Sequence, residues 1–250
     1  EWRLLVRLTE RVCARGGTPA AVSNAADTFL QLLEKLSADM NGELLLQPLG
    51  HCPEVLGALA GCAADAGLPL AQRTEAARVL AAVAKQAAAD ELPPPATASV
   101  WQLAFGGGAG GAAAVPNQLR NLRALVFQLL ADHLGALMGA ALGAGGPLAA
   151  GPGRHPGYAV ERPFTLLRYL VVELVLAAAQ DDAARLALVP ADFWRALVQW
   201  FARYGHNDLY HALFHRLVAL TVRAAAPEAE AAARTLLQRC KFVTALVAAC

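Results

Sequence analysis

Three histidines stand close together in the stretch YGHNDLYHALFH: His206, His211 and His215. His211 and His215 are four residues apart, on one face of a helix, and Asp208 lies three before His211. That spacing suits a divalent metal. No HExxH glutamate separates them and no cysteine stands beside them. The stretch therefore reads as a helix start, in which Asn207 or Asp208 caps the first turn and the imidazoles pack or face solvent. No metal and no cofactor is expected.

Other chemistry is thinly supplied. The run GGGAGG from Gly106 to Gly111 lacks the Lys-Ser/Thr that follows the last glycine of a phosphate loop, so it reads as a flexible linker. The serines are Ser23, Ser37 and Ser99, none in a GxSxG context. Cys240 falls mid-helix in LLQRCKFV, between Arg239 and Lys241. Adjacent helix residues point in different directions, so a buried structural thiol is expected, not an activated one. Asp181 and Asp182 sit where a helix ends and read as a solvated terminus. Arg3, Arg7, Arg11 and Arg15 recur every four residues and read as the solvated face of an amphipathic helix. An enzyme is not expected.

The elements that would position these residues are helices. Of the 250 residues, 56% are hydrophobic and 16% charged, and there is no isoleucine. The apolar excess is largely alanine, the best helix former. No segment keeps a period of two. Expected helices run from Trp2 to Ala14, Ser23 to Ser37, Pro53 to Ala66, Ala71 to Ala89, Pro116 to Leu142, Pro163 to Ala179, Pro190 to Tyr204, His206 to Ala225 and Pro227 to Ala249. A short one is expected over Trp101 to Phe105. The fold class is thus all-α: a single armadillo/HEAT-like helical-repeat solenoid of about ten helices over residues 1–250, with flexible loops at 106–115 and 143–160. The rhythm of helix breaks carries this reading, because no exact repeat is visible.

The net charge is +1, with 21 basic and 20 acidic residues, which offers nucleic acid no broad attraction. The uncharged stretch Leu134–Gly153 holds too many glycines and prolines in its second half for a spanning helix, so no membrane partner is expected. Five scattered cysteines without a CxxC pair suggest a reducing compartment. The chain opens at Glu1 and closes inside a helical pattern, as expected of a piece of a longer protein.

The C-terminal third is similar to a known family. RPFTLLRYLVVELVLAAAQ, WRALVQWFARYGHNDLYHALFHRLVALTV and LLQRCKFVTALV follow one another in the order and spacing of the SAPS domain. Arg168 to Leu174, with Glu173, resembles that family's R-L-x-V-V-E-L helix. His206-Asn207-Asp208-Leu209-Tyr210-His211 resembles W-N-N-x-L-H. Arg239-Cys240-Lys241-Phe242-Val243 resembles its K-C segment. Ser23-Asn24-Ala25 offers a looser match upstream. Thr165-Leu166 replaces a family Gly-Asn, His206 replaces the tryptophan and Asp208 the second asparagine.

The resemblance implies a non-catalytic regulatory subunit that binds a protein phosphatase 6-like serine/threonine phosphatase catalytic subunit, in the cytoplasm and also the nucleus. Arg168, Glu173, Asn207, Asp208, His211 and Cys240 would be its motif residues, structural or partner-binding. Asn207 and His211 are expected to stabilise a helix junction. The alternative is a structural α-solenoid that holds other proteins in a larger assembly without binding a phosphatase.

Overall fold

Alanine-rich segments broken by Gly and Pro leave the backbone little choice but short helices. The computed structural model describes residues 3–37, 46, 49–50, 52–89, 91–92, 115–144, 153–155, 158–160 and 163–249. Helix α1 (Leu4–Cys13) buries Leu5, Thr9 and Val12, a single stripe at helical spacing. Gly16, at φ 81°, supplies the left-handed turn that follows. Helix α2 (Pro19–Ser37) begins four residues before the expected Ser23. Pro19 fits the first helical position, and the Thr18 hydroxyl accepts from the Ala21 N–H at 3.3 Å.

Then come α3 (Pro53–Ala64) and α4 (Leu70–Ala88). A 3-10 turn over Gln118–Leu122 leads into α5 (Arg123–Gly143). Helix α6 (Leu166–Asp181) is followed by a second 3-10 turn, Ala183–Leu188. Helices α7 (Ala191–Arg203), α8 (Asp208–Arg223) and α9 (Pro227–Arg234) complete most of the remainder. The single helix expected over Pro227–Ala249 is broken. A π turn over Thr235–Arg239 ends at Cys240, Lys241 takes φ 50°, and α10 (Phe242–Ala249) starts afresh. Cys240 is therefore not mid-helix.

The chain is helical, with two very short antiparallel ladders among the described residues. One pairs Glu91–Leu92 with Val115–Pro116; the other pairs Gly153–His155 with Tyr158–Val160. The second lies within the Gly/Pro-rich segment 143–160, which the sequence leads one to expect as a flexible loop. Two or three residues are too few to leave an alternating pattern in sequence. The expected helix Trp101–Phe105 and most of the loop 106–115 lie outside the described residues.

Helix α4 is central. It packs on α1, α2, α3, α5 and α6. Ala76, Ala77, Ala84 and Ala87 are buried along it, and such small side chains let several neighbours approach closely. Toward the C-terminus α6 packs on α5 and α8, and α7 on α5, α8 and α10. There the fillers are large: Phe193, Trp194, Tyr210 and Phe214 are fully buried. The stretch Leu119–Gly143 is long and apolar enough to cross a bilayer by length and composition. Here its α5 part packs against α3, α4 and α6.

Candidate functional site

Arg168, Asn207 and His211 gather where α6 and α8 meet the C-terminal end of α7, while Cys240 stands at the other end of α7, beside Ala191. Arg168 stands in the first turn of α6 and is buried. Its Nε donates to the Ala141 carbonyl at 3.2 Å, in the last turn of α5, and its Nη1 to the Tyr204 hydroxyl at 3.3 Å, just past α7. The guanidinium lies 4.8 Å from the centre of the Trp200 ring. A helix's last carbonyls lack partners within the helix and carry partial negative charge, so a buried cation is well placed there. Thr165 caps the same turn by accepting from the Arg168 N–H at 3.4 Å. The threonine that departs from the family pattern thus serves as the N-cap of α6.

Asn207 caps α8, its side-chain oxygen accepting from the Tyr210 N–H at 3.0 Å. His211, one turn in, donates from Nε2 to the Phe201 carbonyl in the last turn of α7, at 3.1 Å. Its ring stacks on Phe201 at 4.3 Å between centres. His215 meets the edge of the same phenyl ring at 5.7 Å. The two histidines therefore flank an aromatic ring. Among the described residues no group of three or more His, Cys, Asp or Glu side chains is placed to hold a metal.

Asp208 is exposed, at the start of α8 beside Leu209, which is 72% exposed. Glu173 is half-buried on α6. Burial, and then Glu173 itself, push the Tyr169 hydroxyl above its ordinary pKa, against the opposing charge of Arg216 on α8. The Cys240 thiol points at the Ala191 carbonyl, at 3.9 Å. Burial raises its pKa, and Arg195 opposes this; its sequence neighbours Arg239 and Lys241 are exposed.

An aromatic cluster holds these groups in place. The Phe164 ring lies 5.7 Å from Trp200, 5.2 Å from Tyr204 and 4.6 Å from Tyr210. Phe201, Phe214 and Phe242 meet one another, tying α10 back to α7 and α8. The Tyr210 hydroxyl donates to the Leu197 carbonyl at 2.6 Å.

Sequence reasoning missed a matching set upstream. Arg73, in the first turn of α4, is buried; it donates to the Ala63 carbonyl at 3.2 Å and the Ala140 carbonyl at 3.1 Å, at the ends of α3 and α5. Gln72 beside it donates to the carbonyls of Val12 at 2.8 Å and Ala14 at 3.0 Å, at the end of α1. Asn117 donates to the Gln86 and Ala89 carbonyls, at the end of α4, both at 2.6 Å. A signal existed for the two arginines. Arg73 continues the stripe of Ala76, Ala77 and Leu80, and Arg168 that of Val171, Val172 and Val175, so periodicity points both inward.

Asp181 corrects the reading of a solvated terminus. Its carboxylate is largely buried and accepts from Arg123 Nε at 2.7 Å and from Arg185. Burial opposes its ionisation, but the hydrogen bonds from Arg123 and Arg185 outweigh burial and hold its pKa below the ordinary value. Asp182 caps the following 3-10 turn at 2.9 Å. On α1, Arg7 pairs with Glu10 and Arg15 with Asp65, while all four stripe arginines are exposed. A small crevice between α3, α4 and α5, lined by Leu56, Ala60, Leu80, Val83, Val126 and Leu129, has wholly apolar walls. The chain matches no family model, no curated protein and no solved structure.

Proposed function

We propose that this chain is a non-catalytic α-solenoid scaffold of the armadillo/HEAT kind, whose partner is a protein phosphatase 6-like catalytic subunit. The alternation of helix contacts supports the solenoid. Helices α1, α3, α5 and α7 touch in succession, as do α2, α4, α6 and α8, while each of α1, α3, α5 and α7 also touches the even helix after it. Two layers built this way form a quasi-one-dimensional stack, an architecture that offers extended surfaces to partners. The capping bonds follow the same alternation. Gln72, Arg73, Arg168 and His211 all stand in the first turn of an even helix and reach the last carbonyls of odd ones.

The observation that carries the choice of partner is the convergence of Arg168, Asn207 and His211 on one junction, because these residues carry the resemblance to the phosphatase-binding SAPS domain. Their side chains face inward. The contact itself would fall to exposed neighbours such as Asp208 and Leu209. Affinity purification from native extract tests this. A phosphatase 6-like catalytic subunit should co-purify with the chain and be lost with a Leu209→Arg variant of unchanged melting temperature. Repeated absence of the phosphatase would overturn the reading.

One observation favours a second reading, a scaffold that binds no phosphatase. Arg168, Asn207 and His211 are all committed to internal hydrogen bonds, so the demands of packing alone account for them. Stable co-purification of other proteins without a phosphatase would support it.

A further inference from the structure

We propose that Cys13 and Cys62 form an oxidisable thiol pair that closes into a disulfide between α1 and α3. The two are 49 positions apart in sequence, yet each thiol lies against the other's helix. Cys13 Sγ is 3.5 Å from the carbonyl oxygen of Ala58, one helical turn before Cys62. Cys62 Sγ is 4.0 Å from the carbonyl oxygen of Val12, the peptide group that continues into Cys13. These contacts place the two sulfurs side by side. The surrounding structure clamps the pair: Arg15 bonds Asp65 at 2.8 Å, and Gln72 bonds the Val12 and Ala14 carbonyls.

Chemistry adds a direction. A hydrogen bond from Cys13 lowers the Cys62 pKa, helped by buried Arg73 and opposed by burial and Asp65. The same bond, and burial, hold the Cys13 thiol far above its ordinary value. Within the pair ionisation is favoured at Cys62, and the thiolate is the nucleophilic form. Cys62 is buried, but Cys13 is partly exposed and opens the pair to a small oxidant. With hydrogen peroxide, the Cys62 sulfur attacks one peroxide oxygen. The O–O bond breaks and hydroxide leaves, to be protonated to water. The Cys13 sulfur then attacks the sulfenic sulfur of Cys62, the S–O bond breaks, and a second water departs with the Cys13 proton. Two thiols are oxidised to one disulfide while one peroxide is reduced to two waters. Among the described residues no thiol is placed against Cys240, and burial raises its pKa.

The test uses the native full chain. It is exposed to limiting hydrogen peroxide, its remaining thiols are alkylated, and it is digested without reductant. A linked peptide pair joining Cys13 to Cys62, lighter by two hydrogens than the free peptides and released by dithiothreitol, is expected before Cys52 or Cys240 reacts. The melting temperature should rise by several degrees on oxidation and fall back on reduction, because the bridge constrains the unfolded chain. A Cys62→Ala variant should lose that rise. Cys13 and Cys62 recovered alkylated while Cys52 or Cys240 is oxidised, or either thiol bridged elsewhere, would overturn the proposal.

Discussion

The region around α4 and the region around α8 solve the same problem with opposite materials. In both, even helices must sit against the ends of odd ones. Around α4 the filler is alanine, and the bonds across the junctions come from long polar side chains, Gln72 and Arg73, threaded between close helices. Around α8 the filler is aromatic. There His211, stacked on Phe201, makes the equivalent bond. Arg168 stands between the two styles, bonded to a backbone carbonyl on one side and a tyrosine and tryptophan on the other. A buried helix end can thus be completed by a long polar side chain among alanines or by an imidazole among aromatic rings.

Core volume gives the largest test of that contrast. Phe214 is fully buried among Phe201, Tyr210 and Phe242. Phe214→Ala should cost about 3–5 kcal/mol in denaturant unfolding, since large-to-small changes add a cavity to the lost burial. Ala77, fully buried in α4, faces the reverse problem. Ala77→Leu should cost about 1–3 kcal/mol by overpacking. If Ala77→Leu proved neutral or stabilising, the claim that close packing governs the α4 region would be broken.

Most of the helices were legible because alanine, leucine and proline leave periodic stripes and sharp breaks. Helix α2 starts ahead of Ser23, which looks like a cap, because Pro19 after Thr18 is the stronger signal. The break at Cys240–Lys241 left no glycine or proline to mark it. The left-handed turn there falls on a lysine, which sequence alone gives no reason to expect. The site was half legible. Asn207 was readable because a cap is local, and His211 because its partner lies one helix back. Gln72 was not, because its acceptors are carbonyls on α1, far away in sequence; for Arg73 periodicity signals burial but not the distant Ala140 carbonyl that it reaches.

The buried arginines sharpen the comparison at a smaller scale. Leaving a buried carbonyl without its donor costs about 1–3 kcal/mol. Arg73→Met and Arg168→Met should each destabilise by about that much in chemical denaturation. Lysine separates them. An ammonium lacks the planar fork that spans two acceptors, but keeps its attraction to an aromatic face. Arg168→Lys, beside Trp200, should recover more stability than Arg73→Lys, which faces two backbone carbonyls. Equal recovery at both sites would show that the aromatic setting adds nothing.

Asp181 offers the smallest effect, at the seam between the two regions. It is the last residue of α6, where the helix dipole disfavours an anion. It remains ionised because Arg123, from the start of α5, and Arg185, from the following turn, both bond its carboxylate. Its folded pKa lies below the ordinary carboxyl value, so the unfolded chain takes up a proton first as pH falls. The stabilisation is therefore fully present above the unfolded value of about 4 and is lost as pH falls through the lower folded value. Asp181→Asn should lower the melting temperature at neutral pH. The gap from the parent chain should narrow below pH of about 4. A gap that stayed constant from neutral pH down through that range would mean that the carboxylate acts by its shape and hydrogen bonds, with no contribution from its charge.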